Sequence, residues 1–148
     1  FQLIQGVETL PLRIRRHCEN AQAVADHLKR RHDVKRVIHP SQQQGVARAR
    51  AEAVLKGGFG GLVGFELEGG VDAGRRFIDS LKLFYHVANI GDARSLAIHP
   101  ASTTHSQLSA EDKLATGVSE GYIRLSIGLE HIDDIIADLD QALDVASS

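Results

Sequence analysis

The residues best suited to chemistry lie between Asn89 and Ser109. This stretch holds Gly91, Asp92, Arg94, Ser95, His99, Ser102, Thr103, Thr104 and His105, with few apolar neighbours. A polar segment of this length inside a compact chain commonly carries function. Ser102, His105 and Asp92 can be drawn as a nucleophilic triad, but no Gly-x-Ser-x-Gly elbow accompanies them. His99 and His105 stand six apart with no acid at a ligand spacing, which argues against zinc. Gly57, Gly58, Gly60 and Gly61 lead from a helical run into a strand-like one. A phosphate cradle runs the other way, so that a helix N-terminus meets the anion. The most pointed residue is Arg124. Ile123, Leu125 and Ile127 alternate with Tyr122, Arg124 and Ser126, so Arg124 shares the polar face of a strand. An ordinary surface charge gives that pattern too. A guanidinium fork beside Tyr122 and Ser126 is also suited to two-pronged capture of a carboxylate.

The elements that must position these residues alternate between helix and strand. Thr9 and Pro11 suit the start of a helix reaching about Arg31. Leu10, Ile14, Cys18, Ala21, Ala25 and Leu28 recur at steps of three and four and predict one buried stripe along it. Strands are expected at Val34–Ile38, around Val63, Phe65 and Leu67, at Leu83–Ala88, at Leu96–Ile98, and around Ile123–Ile127. Helices are expected at Val46–Leu55, after a capping Asp72, after a capping box at Ser109–Asp112, and along Ile132, Ile135, Ile136, Leu139 and Leu143. No linker or repeat interrupts residues 1–148. The fold class expected is one α+β domain: a small, mainly antiparallel sheet of four or five strands with helices packed on one face.

Composition narrows the partners. Seventeen Lys and Arg meet 19 Asp and Glu, for a net charge of −2. A chain that lives on phosphate contacts is usually clearly basic, so nucleic acid is not an expected partner. No apolar run approaches the roughly 18 residues that suggest a bilayer-spanning helix, so no membrane partner is expected either. Cys18 is the only cysteine. It cannot form an intrachain disulfide, which fits a reducing compartment, the cytoplasm. The chain contains no Met and begins at Phe1. That start suggests a piece of a longer protein.

Four runs carry a resemblance that covers nearly the whole chain. Leu3-Ile-Gln-Gly-Val-Glu-Thr-Leu-Pro-Leu-Arg-Ile-Arg-Arg-His-Cys-Glu-Asn20 resembles the start of the C-terminal domain in the Cys/Met-metabolism family of pyridoxal-phosphate enzymes. Asn89-Ile-Gly-Asp-Ala-Arg-Ser-Leu96, His99-Pro-Ala-Ser-Thr-Thr-His105 and Gly121-Tyr-Ile-Arg-Leu-Ser-Ile-Gly-Leu-Glu130 follow in the family's order. Within the family the chain is most similar to the sulfhydrylases that act on O-acetylhomoserine. Cystathionine and methionine lyases tend to carry Ser where Asn89 stands.

The resemblance implies the small C-terminal domain of a fold-type I enzyme, joined to a missing N-terminal large domain and assembled as a homotetramer. It implies that the full enzyme uses pyridoxal 5'-phosphate to replace the acetyloxy group of O-acetyl-L-homoserine with sulfide or methanethiol, giving homocysteine or methionine plus acetate. Arg124 matches the family's binder of the substrate α-carboxylate. Asn89 matches a position lining the same pocket, and Thr104 another near the substrate. The family's Schiff-base lysine follows a Ser/Thr-rich stretch. None of Lys29, Lys35, Lys56, Lys82 and Lys113 stands in such a stretch. The chain is therefore expected to hold substrate-binding residues but no catalytic, cofactor-binding or metal residue, and to be inactive and cofactor-free alone. Two alternatives remain at this point: the same domain of a cystathionine γ-synthase or γ-lyase, and a stand-alone amino-acid-binding regulatory module.

Overall fold

The computed structural model describes residues 1–103 and 118–148. Helix α1 (Gln2–Glu8) runs into helix α2 (Leu10–Leu28) at Thr9. Pro11 has no amide to donate, so the hydrogen-bond ladder is broken there. Arg13 braces the joint through Thr9 Oγ1 (3.2 Å) and the carbonyl of Gly6 (2.6 Å). The predicted stripe is buried only in its second half. Ala21, Ala25 and Leu28 are fully enclosed, joined by Val24, which the predicted stripe does not include, whereas Leu10 and Ile14 are 40% and 50% exposed. No described element packs over the first turns of α2, and α1, which the sequence reading missed, buries no residue at all.

Five strands form one sheet among the described residues: β1 (Val34–Ile38), β2 (Leu62–Leu67), β3 (Tyr85–His86), β4 (Leu96–Ile98) and β5 (Tyr122–Ser126). Their order across the sheet is β1-β2-β5-β4-β3. All neighbours are antiparallel except β3 and β4, which are parallel. The register of β1 against β2 breaks between Val34 and Arg36. Val63 pairs with Leu125 and Phe65 with Ile123, which puts these apolar side chains on one face. Helices α2, α4 (Gly70–Ser80) and α5 (Ile132–Ala146) contribute to the single buried core built on that face. Phe65 meets Phe77 of α4 edge-on at 5.4 Å. Ile135, Leu139, Ala142 and Leu143 supply the buried stripe of α5. The expected sheet, mainly antiparallel with helices on one face, is the one observed.

Three details correct the local reading. Gly69, in the left-handed region at φ 88°, caps α4, and Asp72 sits inside its first turn, where a carboxylate opposes the helix dipole favourably. The expected strand over Leu83–Ala88 shrinks to Tyr85–His86. Asp138 of α5 accepts the amides of Lys82 (2.9 Å), Leu83 (2.8 Å) and Phe84 (3.3 Å), so those groups are unavailable to a ladder. The capping box at Ser109–Asp112 lies outside the described residues.

Helix α3 (Gly45–Val54) buries no side chain. Arg48 ties it down, donating to the carbonyl of Ser41 and standing 5.0 Å over the ring of Phe59. At the opposite end of the molecule Arg31 grips both Asp33 oxygens (2.7 and 3.0 Å) and reaches Asp144 of α5 at 2.7 Å. This fastens the end of α2 and the start of β1 to the last helix. No described helix is long and apolar enough to cross a membrane.

Candidate functional site

Parallel neighbours cannot be joined by a hairpin, because the chain must return along the strand before pairing again. Residues 87–95 make that return between β3 and β4. Helices occupy one face of the sheet, and this crossover loop is tied to the other. The second face carries Leu96 and Ile98 of β4, which are 3% and 4% exposed, together with Arg124 and Ser126 of β5.

Backbone and polar bonds, with no buried apolar side chain of their own, hold loop residues 87–94. Gly91, at φ 76°, donates its amide to Ser126 Oγ at 3.1 Å. The carbonyl of Ala93 accepts from the amide of Leu129 at 2.8 Å. The amide and hydroxyl of Ser95 donate to the two carboxylate oxygens of Glu130 at 2.6 and 2.9 Å. Ser95 Oγ in turn accepts the amide of Gly128 at 2.9 Å. A Cβ at Gly128 would overlap the Glu130 carboxylate and press on the backbone of Arg94 and Ser95, which shows how closely the loop lies against the end of β5.

The loop brings two of the predicted residues together. Arg124 Nη2 donates to the carbonyl of Asn89 at 3.3 Å. Nε of Arg124 is buried, with no hydrogen-bond partner among the described residues. No carboxylate among those residues pairs with this guanidinium. Glu66, which pairs with Tyr122 two positions along β5, is committed to Arg36 (2.8 Å) and Ser119 Oγ (2.9 Å). Asn89 itself is exposed, and it presents its backbone to Arg124 while its side-chain oxygen accepts the amide of Ile90 at 2.9 Å. Thr104, the third predicted residue, lies outside the described residues, as does His105.

Tyr122 completes the half-buried polar face. Gly64 pairs directly with Arg124 across the strands, and its missing side chain leaves the space that the Tyr122 ring fills. Burial pushes the Tyr122 phenol above its ordinary range, while the positive charge of Arg124 pulls it back. The site therefore offers a guanidinium, one N–H of which is taken by a backbone carbonyl, and a phenol hydroxyl. Those donors are suited to an anion with two oxygens in a plane.

Both competing arrangements, the Ser102–His105–Asp92 triad and the His99–His105 pair, call on His105, which lies outside the described residues. Ser102 Oγ bonds Nδ1 of His99 at 2.8 Å, and His99 Nε2 meets the carbonyl of Glu120 at 2.7 Å, so this wholly buried imidazole is a structural tie. Asp92 accepts the amide of Arg94. Gly58 lies against Cys18, and the Gly-rich turn is a packing device. No cluster of His, Cys, Asp or Glu suited to a metal ion is found among the described residues. Sequence reasoning missed Ser95, Ser126 and Glu130 as the anchors of the loop. Their only sequence signal is membership in the two motifs that frame it.

Residues 1–144 match the family described as Cys/Met metabolism PLP-dependent enzyme, where PLP is pyridoxal 5'-phosphate. The chain is 51% identical to an O-acetyl-L-homoserine sulfhydrylase of Leptospira meyeri over 97% of its length and 33% of the relative's. It is 46% identical to an L-methionine gamma-lyase of Pseudomonas putida over 95% of its length and 35% of the relative's. Its fold is similar to that of a putative O-acetylhomoserine (thiol)-lyase of Campylobacter jejuni, at a TM-score of 0.88 and 44% identity. That match covers 96% of this chain and 34% of the other, which carries a pyridoxyl-lysine monophosphate. The chain thus spans about a third of the length of the relatives it matches.

Proposed function

This chain belongs to the Cys/Met metabolism family of pyridoxal-phosphate-dependent enzymes, and from that premise we propose that residues 1–148 are the small, substrate-recognising domain of an O-acetylhomoserine sulfhydrylase. The full protein would replace the acetyloxy group of O-acetyl-L-homoserine with sulfide or methanethiol, giving homocysteine or methionine and acetate. The carrying observation is the guanidinium of Arg124, held beside the Asn89 carbonyl with Nε buried and without a hydrogen-bond partner among the described residues. The substrate's α-carboxylate supplies the acceptor that this N–H lacks. Asn89 limits the rotation of the guanidinium, and the family resemblance assigns Thr104, outside the described residues, a place near the substrate.

The cofactor is a different matter. Pyridoxal phosphate supplies the electron sink for carbanion chemistry once an amine holds it. Lys29, Lys35, Lys56 and Lys82 are all exposed on the outside of the molecule, and none of the described residues forms a cradle for it. The described residues do not fit the group, and it belongs to the remaining two thirds of the enzyme. The exposed apolar side chains of Phe1, Leu3, Ile4, Val7, Leu12 and Ile14 give that large domain a surface to cover. The same reading makes the full protein a cytoplasmic homotetramer.

Similarity to a methionine gamma-lyase keeps γ-elimination as the second reading. The test is the full-length protein given O-acetyl-L-homoserine plus sulfide, or L-methionine alone. Homocysteine and acetate formation from the first, with little 2-oxobutanoate from the second, supports the sulfhydrylase. The reverse preference overturns it.

A further inference from the structure

We propose that Glu130 is a positioning residue for the carboxylate pocket, setting the place of the crossover loop above Arg124 through Ser95. The proposal rests on the reading of Arg124 as the carboxylate binder.

Residues 87–94 are exposed throughout, so no side chain of theirs is locked into the core. What fixes such a segment is its polar anchors, and Ser95 is the firmest. Its amide and hydroxyl both donate to one carboxylate, and bonds to an ionised acceptor are shorter and stronger than neutral ones. Glu130 is in turn held from behind. The side chain of Asn20, buried in α2, donates to the carbonyls of both Gly128 and Glu130 at 3.0 Å. The chain of contacts thus runs from the core helix through Asn20, Glu130 and Ser95 to the loop, and from Asn89 to Arg124. Ser95 also passes its carbonyl to the amide of Tyr85 at 3.0 Å, so the clamp governs both ends of the crossover.

Glu130 touches no reacting atom in this arrangement. Its loss lets the loop ride up, frees the Asn89 carbonyl from Nη2, and leaves the guanidinium rotating over the site. A misplacement on the scale of 1 Å costs on the order of a hundredfold in rate. The expected signature is therefore a weaker grip on the substrate carboxylate, beyond any general loosening.

The experiment uses the full-length holoenzyme and two competitive inhibitors, L-norleucine and its primary amide, which differ only in the carboxylate. The ratio of their inhibition constants is measured in the unaltered protein and in Glu130→Gln, Ser95→Ala, Ser95→Thr and Arg124→Ala. Glu130→Gln keeps the shape but leaves one oxygen to accept two donors. The proposal expects the preference for the carboxylate to fall about tenfold or more in Glu130→Gln and Ser95→Ala. Ser95→Thr, which keeps the hydroxyl, is expected to retain most of it. A structural role alone would weaken both inhibitors equally and leave the ratio unchanged. An unchanged ratio in Glu130→Gln and Ser95→Ala, with a collapsed one in Arg124→Ala, overturns the positioning role and spares the reading of Arg124. No carboxylate preference in the unaltered protein overturns both. If Glu130→Gln does not fold, Ser95→Ala decides by the same criterion.

Discussion

The carbonyl oxygen of Asn89 lies 3.3 Å from Nη2 of Arg124, joining two residues 35 positions apart in the chain. One sits on an exposed crossover loop and the other in the middle of a strand, yet both face the side of the sheet away from the described helices. The contact occupies one N–H of the guanidinium, and buried Nε has no hydrogen-bond partner among the described residues.

Arg124→Ala in the full-length enzyme is expected to weaken substrate binding with little change in melting temperature, because Arg124 lies on the face away from the helical core. Truncating one partner of a desolvated charge pair costs about 2–5 kcal/mol. That is about thirty- to several-thousand-fold at 1.4 kcal/mol per decade. Arg124→Lys should recover part of the loss, since a point charge cannot reproduce a planar fork. Steady-state kinetics with O-acetyl-L-homoserine measure both. An alanine variant of near-normal efficiency would return Arg124 to the status of a surface charge.

Gly64→Ala tests the fit beneath Tyr122. The added methyl would stand 2.7 Å from the phenolic oxygen and 2.8 Å from Cε2, so the ring must move. Overpacking of this kind costs about 1–3 kcal/mol. The same substitution in a Tyr122→Leu background should cost much less, because the clashing ring is gone. Urea unfolding of the four proteins reads the coupling. Equal costs in both backgrounds would contradict the fit.

Asp138→Ala removes the acceptor for three successive amides, those of Lys82, Leu83 and Phe84. Leaving a buried donor unpaired costs about 1–3 kcal/mol. The amides of Leu83 and Phe84 should therefore lose protection in hydrogen exchange ahead of those in β5. Unchanged exchange at these two positions would mean that water or another acceptor replaces the carboxylate.

Asp33 gives the molecule an acid-sensitive fastening. Its hydrogen bonds to Arg31 hold the carboxyl at about 2, down from 3.8. A depressed carboxyl stabilises the fold above its unfolded value, and that contribution is lost as pH falls from about 4 towards 2. The stability gap between the natural protein and Asp33→Asn should accordingly be full at pH 6 and nearly closed at pH 2. Denaturant titrations at a series of pH values test this. A gap that stays constant would show that the ion pair contributes nothing net.

Much of this architecture is legible in the residues. Alternation located β2 and β5, and with them the face on which Arg124 stands. A period of 3.6 located α5 and the enclosed half of α2. What escaped was decided by distant partners. Leu83–Ala88 has strand-like composition, but its first amides go to Asp138, more than 50 residues away. Leu10 and Ile14 carry the spacing of a buried stripe, yet no described element covers them. The Asn89–Arg124 contact depends on β3 and β4 being parallel, and no local spacing encodes that. Glu130 reads as one more acid at a helix entrance until Ser95 is found folded onto it.

The register break in β1 bears on how partly folded chains behave in company. β1 closes one side of the sheet, where a long, flat row of free amides and carbonyls would recruit a strand from another molecule. The irregularity between Val34 and Arg36 twists that row out of line, and Lys35 and Arg36 place like charges along it. The other side ends in β3, only two residues long. Neither margin offers a template for strand addition. Self-association of this piece would accordingly run through the bare apolar side chains of α1, and a detergent or a covering domain would suppress it where a strand-capping peptide would not.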